Sequence, residues 1–249
     1  MFPNYTYPAP LVIKIMTSLI FGRGRSFRED ARRIIANQRP GILILGRENI
    51  PTHGACVITF NHYHRPGFQA WWLALAVAAS VEQEMHWVVT NELTYPQKCY
   101  GFFGRPLSRW VLRRLAKLYA FTSMPPMPPR PQDAEARALA VRQVLYHIRH
   151  TEKPMLGLAP EGCDNPDGSV CMPATGAGRF GLLLAANGLS FVPCGIFESE
   201  GRLCLRFGPG YDLHLPAGLT AREKDLQASR IIMQHIANLV PIALRCEFE

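Results

Sequence analysis

The sequence predicts an α/β fold, a central, mostly parallel or mixed sheet flanked by helices and preceded by an N-terminal helical segment. Three observations predict it. Short apolar runs recur at 41–46, 55–60, 86–90, 154–159, 191–196 and 202–207, the pattern of strands buried on both faces. Stretches of helical periodicity separate most of them, the alternation that places helices on the faces of a sheet. Two of the runs stop abruptly on polar residues, at Asn61-His62 and at Pro160-Glu161-Gly162, and strand ends are where α/β proteins collect their chemistry. With 249 residues, 48% of them hydrophobic, the chain can bury a full core. It divides into a helical segment over 1–38 and an α/β domain over 39–249, with no internal repeat.

The elements follow in order. Leu11, Val12, Ile15, Met16, Leu19 and Ile20 share one face of a helix too short and too interrupted to span a bilayer. Such a helix suits either a membrane surface or packing against the domain. The N-terminus lacks a basic start followed by a cleavable apolar core, so no secretory signal is read. Ser26 with Glu29 three residues on reads as a capping box opening a second helix through Ile34-Ile35. After the strand over 41–46, the turn at 51–54 leads into Ala55–Phe60. Pro66 suits the first turn of the next helix, which from Trp71 to Ala79 is apolar all round and should be buried. His86–Thr90 is a third strand. Arg105, Arg109, Arg113 and Lys117 then recur every fourth residue among Leu107, Trp110, Val111 and Leu115, a basic amphipathic helix with a solvated cationic face. Met124–Pro131, with five prolines, reads as an extended surface crossing. A helix over 133–150, a strand over 154–159, a helix over 176–187 closed by Gly188 and two further strands follow. The last helix opens at Thr220, boxed by Glu223, and runs to about Val240.

Composition narrows the partners. The 27 Lys and Arg against 19 Asp and Glu leave a charge of +8, which suits a membrane surface, a nucleic acid or an acidic metabolite. A nucleic-acid partner would rest on charge alone, with no binding motif beside it, and none is expected. Seven cysteines, an odd number without a Cys-x-x-Cys pair, argue against a disulfide framework and for a reducing cytoplasmic setting. The pairs His62/His64 and His147/His150 lack carboxylate or cysteine companions at metal-site spacing, so no metal is expected. His62, ending a strand, suits a general base near neutral pH. A turn histidine satisfied by nearby backbone is the plainer alternative.

Asn61-His62, Pro160-Glu161-Gly162 and the later Phe191-Val192-Pro193, together, resemble the glycerolipid acyltransferase superfamily of the lysophosphatidic acid acyltransferase type. The stretch from Gly46 to Gly54 looks like that family's lead-in to its catalytic strand. Gly176-Ala177-Gly178-Arg179 and the stretch from Gly201 to Pro209 look like its later segments, and the likeness runs over roughly residues 40–245. The resemblance implies transfer of a fatty acyl group from a thioester, on coenzyme A or acyl carrier protein as co-substrate and with no cofactor, to a hydroxyl of a lysophospholipid or related lipid. It implies His62 as the base, and Asn61, Pro160, Glu161 and Gly162 at the acceptor site. It also favours membrane contact for the N-terminal helix, and hence a peripheral protein on the cytoplasmic side of a membrane.

The chain departs from the family pattern in two places. The family has an aspartate five residues after the histidine, and here that residue is Gly67. Losing such an orienting carboxylate costs about 10⁴-fold in serine proteases. Asp164 and Asp167 are the candidate substitutes, and His64 is a candidate auxiliary base, read more plainly as a surface histidine. The family's two phosphate-binding arginines are also missing. Tyr119–Met124 carries none, and Cys163-Asp164 follows Gly162 where the family has Thr-Arg. Arg65, expected at a helix N-terminus, is the candidate replacement anion site. Cys163 raises a second chemistry, an acyl-cysteine with His62 as its base. The alternative to an active enzyme is a weak or inactive lipid-binding relative of the same fold.

Overall fold

The computed structural model describes residues 2–92, 98–127 and 129–248. The side chains of 98–103 and 105, which include Cys99 and Arg105, and the connector residue Pro128 lie outside the described residues. In chain order the elements are α1 (Ala9–Phe21), α2 (Phe27–Ala36), β1 (Leu43–Leu45), β2 (Cys56–Phe60), α3 (Trp71–Ser80), β3 (His86–Thr90), α4 (Lys98–Leu118), β4 (Thr122–Met124), α5 (Ala134–His150), β5 (Met155–Leu158), α6 (Ala177–Ala186), β6 (Ser190–Ser199), β7 (Arg202–Phe207) and α7 (Ala221–Ala237).

The strands form one sheet in the order β1-β7-β6-β2-β5-β3-β4. Every neighbouring pair is parallel except the β6–β7 hairpin. All five residues of β2 are buried, as befits a central strand covered on both faces. The core gathers Val57 and Ile58 of β2 with Leu73, Leu156, Phe191, Leu205 and Ile232. β2 lies between β5 and β6, so the C-terminal ends of β2 and β5, where the two polar breaks fall, stand side by side. Open α/β sheets place their ligand crevices outside such ends.

Three expectations are corrected. Pro66 is not in the first turn of a helix, because α3 begins only at Trp71. Arg65–Phe68 instead forms a tight turn, with the Phe68 N–H donating to the Arg65 carbonyl at 3.0 Å and Gly67 at φ +80°. Proline second and a positive-φ glycine third suit a type II turn. The stretch after residue 121 is no mere surface crossing. Thr122–Met124 pairs with β3 as an edge strand, and Pro125 and Pro126 are buried behind it. Finally, the cationic face of α4 is not wholly solvated, because Arg109 pairs at 2.5 Å with Glu92, whose side chain is only 1% exposed.

The caps explain where two helices start. Ser26 accepts the Glu29 N–H at 3.0 Å, while the Glu29 carboxylate turns to Arg28 and Arg33, so half of the expected box forms at α2. At α7 both halves form between Thr220 and Glu223. In α1, Leu11 and Leu19 are buried, while Val12, Ile13, Met16, Ile20 and Phe21 are exposed. One stripe of the helix packs on the domain and a second faces outward. Trp71 breaks the buried pattern of α3, standing half exposed.

Candidate active site

The site begins where β2 runs out. The ladder to β6 ends at Phe60 opposite Cys194. Asn61, 1% exposed, then extends it with its side chain, accepting the Ile196 N–H at 2.7 Å and donating to the Ile196 carbonyl at 2.8 Å. An amide side chain used in this way is a substitute peptide unit. It fixes the point at which His62 leaves the sheet, and at 1% exposure the amide is turned to β6 and away from solvent. The expectation that Asn61 binds acceptor is therefore revised to a structural role.

Arg65 is revised likewise. No helix N-terminus lies beside it, and its guanidinium grips Glu198 through both Nε and Nη2, the latter at 3.0 Å from Oε1. Glu198, whose side chain is 2% exposed, also accepts from the hydroxyls of Tyr5 at 2.6 Å and Tyr63 at 3.2 Å. A buried carboxylate needs this degree of pairing. Burial, reinforced by the Glu198 charge, pushes both phenols up, so they remain donors. The cluster clamps the loop after His62 to the end of β6.

The second polar break docks on the first. Glu161 is 2% exposed, and its two oxygens accept the backbone N–H of His62 and that of Cys171, the latter at 2.8 Å. Burial raises its carboxyl above the usual value, while the two N–H donors oppose the rise. Glu161 thus holds the backbone of His62. Its carboxylate is spent there, a revision of the acceptor-binding expectation. Gly162 follows at φ +67°, and a Cβ there would stand 2.7 Å from Met127 Cγ, so both the turn and the close approach require glycine.

This turn carries Asp164 to the histidines. Its Oδ1 lies 2.8 Å from His62 Nδ1 and its Oδ2 lies 3.5 Å from His64 Nδ1. His62 Nδ1 is closed off from solvent and the approach is close, but it lacks the alignment of a full hydrogen bond. Contact with His62 holds the Asp164 carboxyl below its ordinary range. Asp167 is elsewhere engaged, accepting from the Ser169 N–H at 2.9 Å and its hydroxyl at 2.7 Å. Cys163 is exposed, yet partial desolvation and the Glu161 and Asp164 charges push its thiol up. That is the reverse of an activated nucleophile. Among the described residues no group of three His, Cys, Asp or Glu side chains could hold a metal ion.

A cavity of about 160 Å³ opens beside these loops, with Pro160 and Gly162 in its wall. Val89, Pro126, Met127, Val141, Leu158 and Phe180 make most of its lining apolar, and Arg137 is its one cation among the described residues. The sequence reading missed this chamber. Its walls come from β3, the proline segment, α5, β5 and α6, whose apolar residues look like ordinary core in sequence. Glu198 was missed for a related reason, lying in a run that ends at a hairpin turn. Proline density after β4 was the one usable signal.

The site thus brings together a strand-ending histidine faced by a carboxylate and, beside the Pro160–Gly162 turn, an apolar chamber on an α/β sheet. The chain belongs to the Acyltransferase family, whose signature matches residues 41–197. Among solved structures it is similar to the 1-acyl-sn-glycerophosphate (LPA) acyltransferase PlsC from Thermotoga maritima. The match has a TM-score of 0.50 at 14% identity and covers 86% of this chain and 78% of that one, a likeness of fold. No curated protein matches in sequence.

Proposed function

We propose that this acyltransferase moves a fatty acyl group from a thioester, on coenzyme A or acyl carrier protein, to a hydroxyl of a lysophospholipid or related lipid alcohol. The observation that carries the proposal is the His62–Asp164 approach at 2.8 Å, with Asp164 carried by the turn whose Pro160 and Gly162 line the apolar chamber. Asp164 orients the ring through Nδ1 and favours the tautomer that leaves Nε2 able to take a proton. Nε2 then removes the acceptor hydroxyl's proton as its oxygen attacks the thioester carbonyl. Collapse of the tetrahedral intermediate expels the thiolate, which recovers the proton from His62. The apolar walls suit a hydrocarbon chain.

The site would work at a membrane surface on its cytoplasmic side. Support comes from the charge of +8 and from the exposed apolar stripe of α1. Exposed Leu107 and Trp110 of α4 add to it. No helix among the described residues is long and apolar enough to cross a membrane.

The deciding experiment presents purified protein with a panel of acyl-CoA and acyl carrier protein donors and lipid alcohols, beside His62→Ala. General-base removal is expected to lower turnover by about 10²–10⁴-fold. Thioester consumption that persists in the variant sinks the mechanism. A second reading, a lipid-binding protein with little or no turnover, is favoured by Gly67 and by the imperfect alignment at His62 Nδ1. Absence of acceptor-dependent turnover in the wild type selects it.

A further inference from the structure

Arg137 projects from α5 into the apolar chamber as the sole cation on its described wall. Its Nη2 donates to the Pro126 carbonyl at 3.0 Å and its Nη1 approaches the Met127 sulfur at 3.6 Å, a weak acceptor. Those contacts fix the guanidinium plane and leave other N–H groups uncommitted. Among the described residues no carboxylate stands within ion-pair distance of it. Asp133, the acid that acts on it, is taken by Arg130 at 2.5 Å. Partial burial weighs against its charge. A half-buried guanidinium that lines an apolar chamber and has no carboxylate partner among the described residues is free to receive an anion.

We propose that Arg137 is the anion contact of the chamber, the residue that selects an amphiphile carrying a phosphate or other anionic head over a neutral one of the same chain length. The proposal rests on the acyltransferase reading of the adjoining loops and adds the head-group class to it. It answers a gap in the sequence, since neither Tyr119–Met124 nor Cys163-Asp164 supplies an arginine. The Pro126 and Met127 contacts tie the cation to the same proline segment that packs on Gly162, so the anion and His62 are placed by connected loops.

The test measures binding by calorimetry, independently of turnover, on the full chain and on Arg137→Gln and Arg137→Lys. The probes are a short-chain lysophosphatidate, the monoacylglycerol of the same chain length, and an acyl-CoA. Arg137→Gln keeps a donor for the Pro126 carbonyl and removes the charge. Wild type is expected to prefer the phosphorylated lipid over the neutral one by about tenfold, Arg137→Gln to erase that preference, and Arg137→Lys to keep part of it. If Arg137→Gln weakens acyl-CoA alone and leaves the preference for the phosphorylated lipid intact, the cation serves the donor and the head-group proposal is overturned. Equal binding of charged and neutral probes by wild type, or unchanged affinities for both anionic probes in Arg137→Gln, overturns the proposal. Turnover assays run alongside keep the two readings apart. Absent transfer with a charge preference that depends on Arg137 removes the enzyme and leaves the site, whereas transfer indifferent to Arg137 does the reverse.

Discussion

Asp164 places a carboxylate against His62 from a different loop than the one that carries the histidine, and Gly67 explains why the shorter route is closed. At φ +80° in a type II turn, position 67 favours glycine over any L-residue. Gly67→Asp should therefore cost on the order of 1 kcal/mol in thermal unfolding. Combined with Asp164→Asn, it should restore no turnover. Asp164→Asn alone should lower kcat by about 10²–10⁴-fold with little change in KM, by analogy with the orienting carboxylate of serine proteases. An equal loss in His64→Ala would mean that the 3.5 Å contact carries the function instead. Glu161 gives a pH signature. Its folded value lies above the ordinary 4.5, so between the two the folded chain holds a proton that the unfolded chain has released. Its contribution to stability is full below that window and is lost as pH rises through it. Thermal melts across this range should show a component that Glu161→Gln flattens.

Among the elements, α7 offers the cleanest stability test. Thr220→Ala removes the hydroxyl that accepts the Glu223 N–H, leaving only the backbone half of the capping box, and should cost about 1 kcal/mol in denaturant unfolding, with transfer activity unchanged. β2, β5 and β6 are legible because burial on both faces writes a nearly unbroken hydrophobic run, and β1, β3 and β7 show as shorter apolar stretches. β4 is not legible, since Thr122–Met124 is a three-residue edge strand cut short by proline. The same limit governs the site. His62 and the Glu161 turn stand out as polar breaks after strands, and Asp164 follows from its place after Gly162, but nothing in the sequence signals that Asn61 and Arg65 are engaged within the fold. Their partners, Ile196 and Glu198, lie 135 and 133 residues away, and no local pattern announces such a contact. Arg137 was invisible for the opposite reason. It sits at an ordinary position in a helix, and only the fold shows that it faces a chamber.

The molecule as a whole presents its apolar stripe on α1 with a positive charge overall, and membrane contact can be tested apart from chemistry. Replacing Ile13 and Ile20 by glutamate should weaken flotation with anionic vesicles by about tenfold or more, while turnover of a short-chain soluble substrate stays near wild type. Wild-type flotation should fall as salt rises. Indifference to both changes would argue against a peripheral membrane role. The docking of the two loops has a further consequence. His62 and Asp164 lie on opposite sides of α3, β3, α4, β4, α5 and β5 in the chain, so any cut between them leaves the base on one fragment and its partner on the other. Neither fragment can hold the pair alone. Two such pieces, expressed separately, would regain turnover only when they find each other, making the acyl-transfer rate a readout of reassembly.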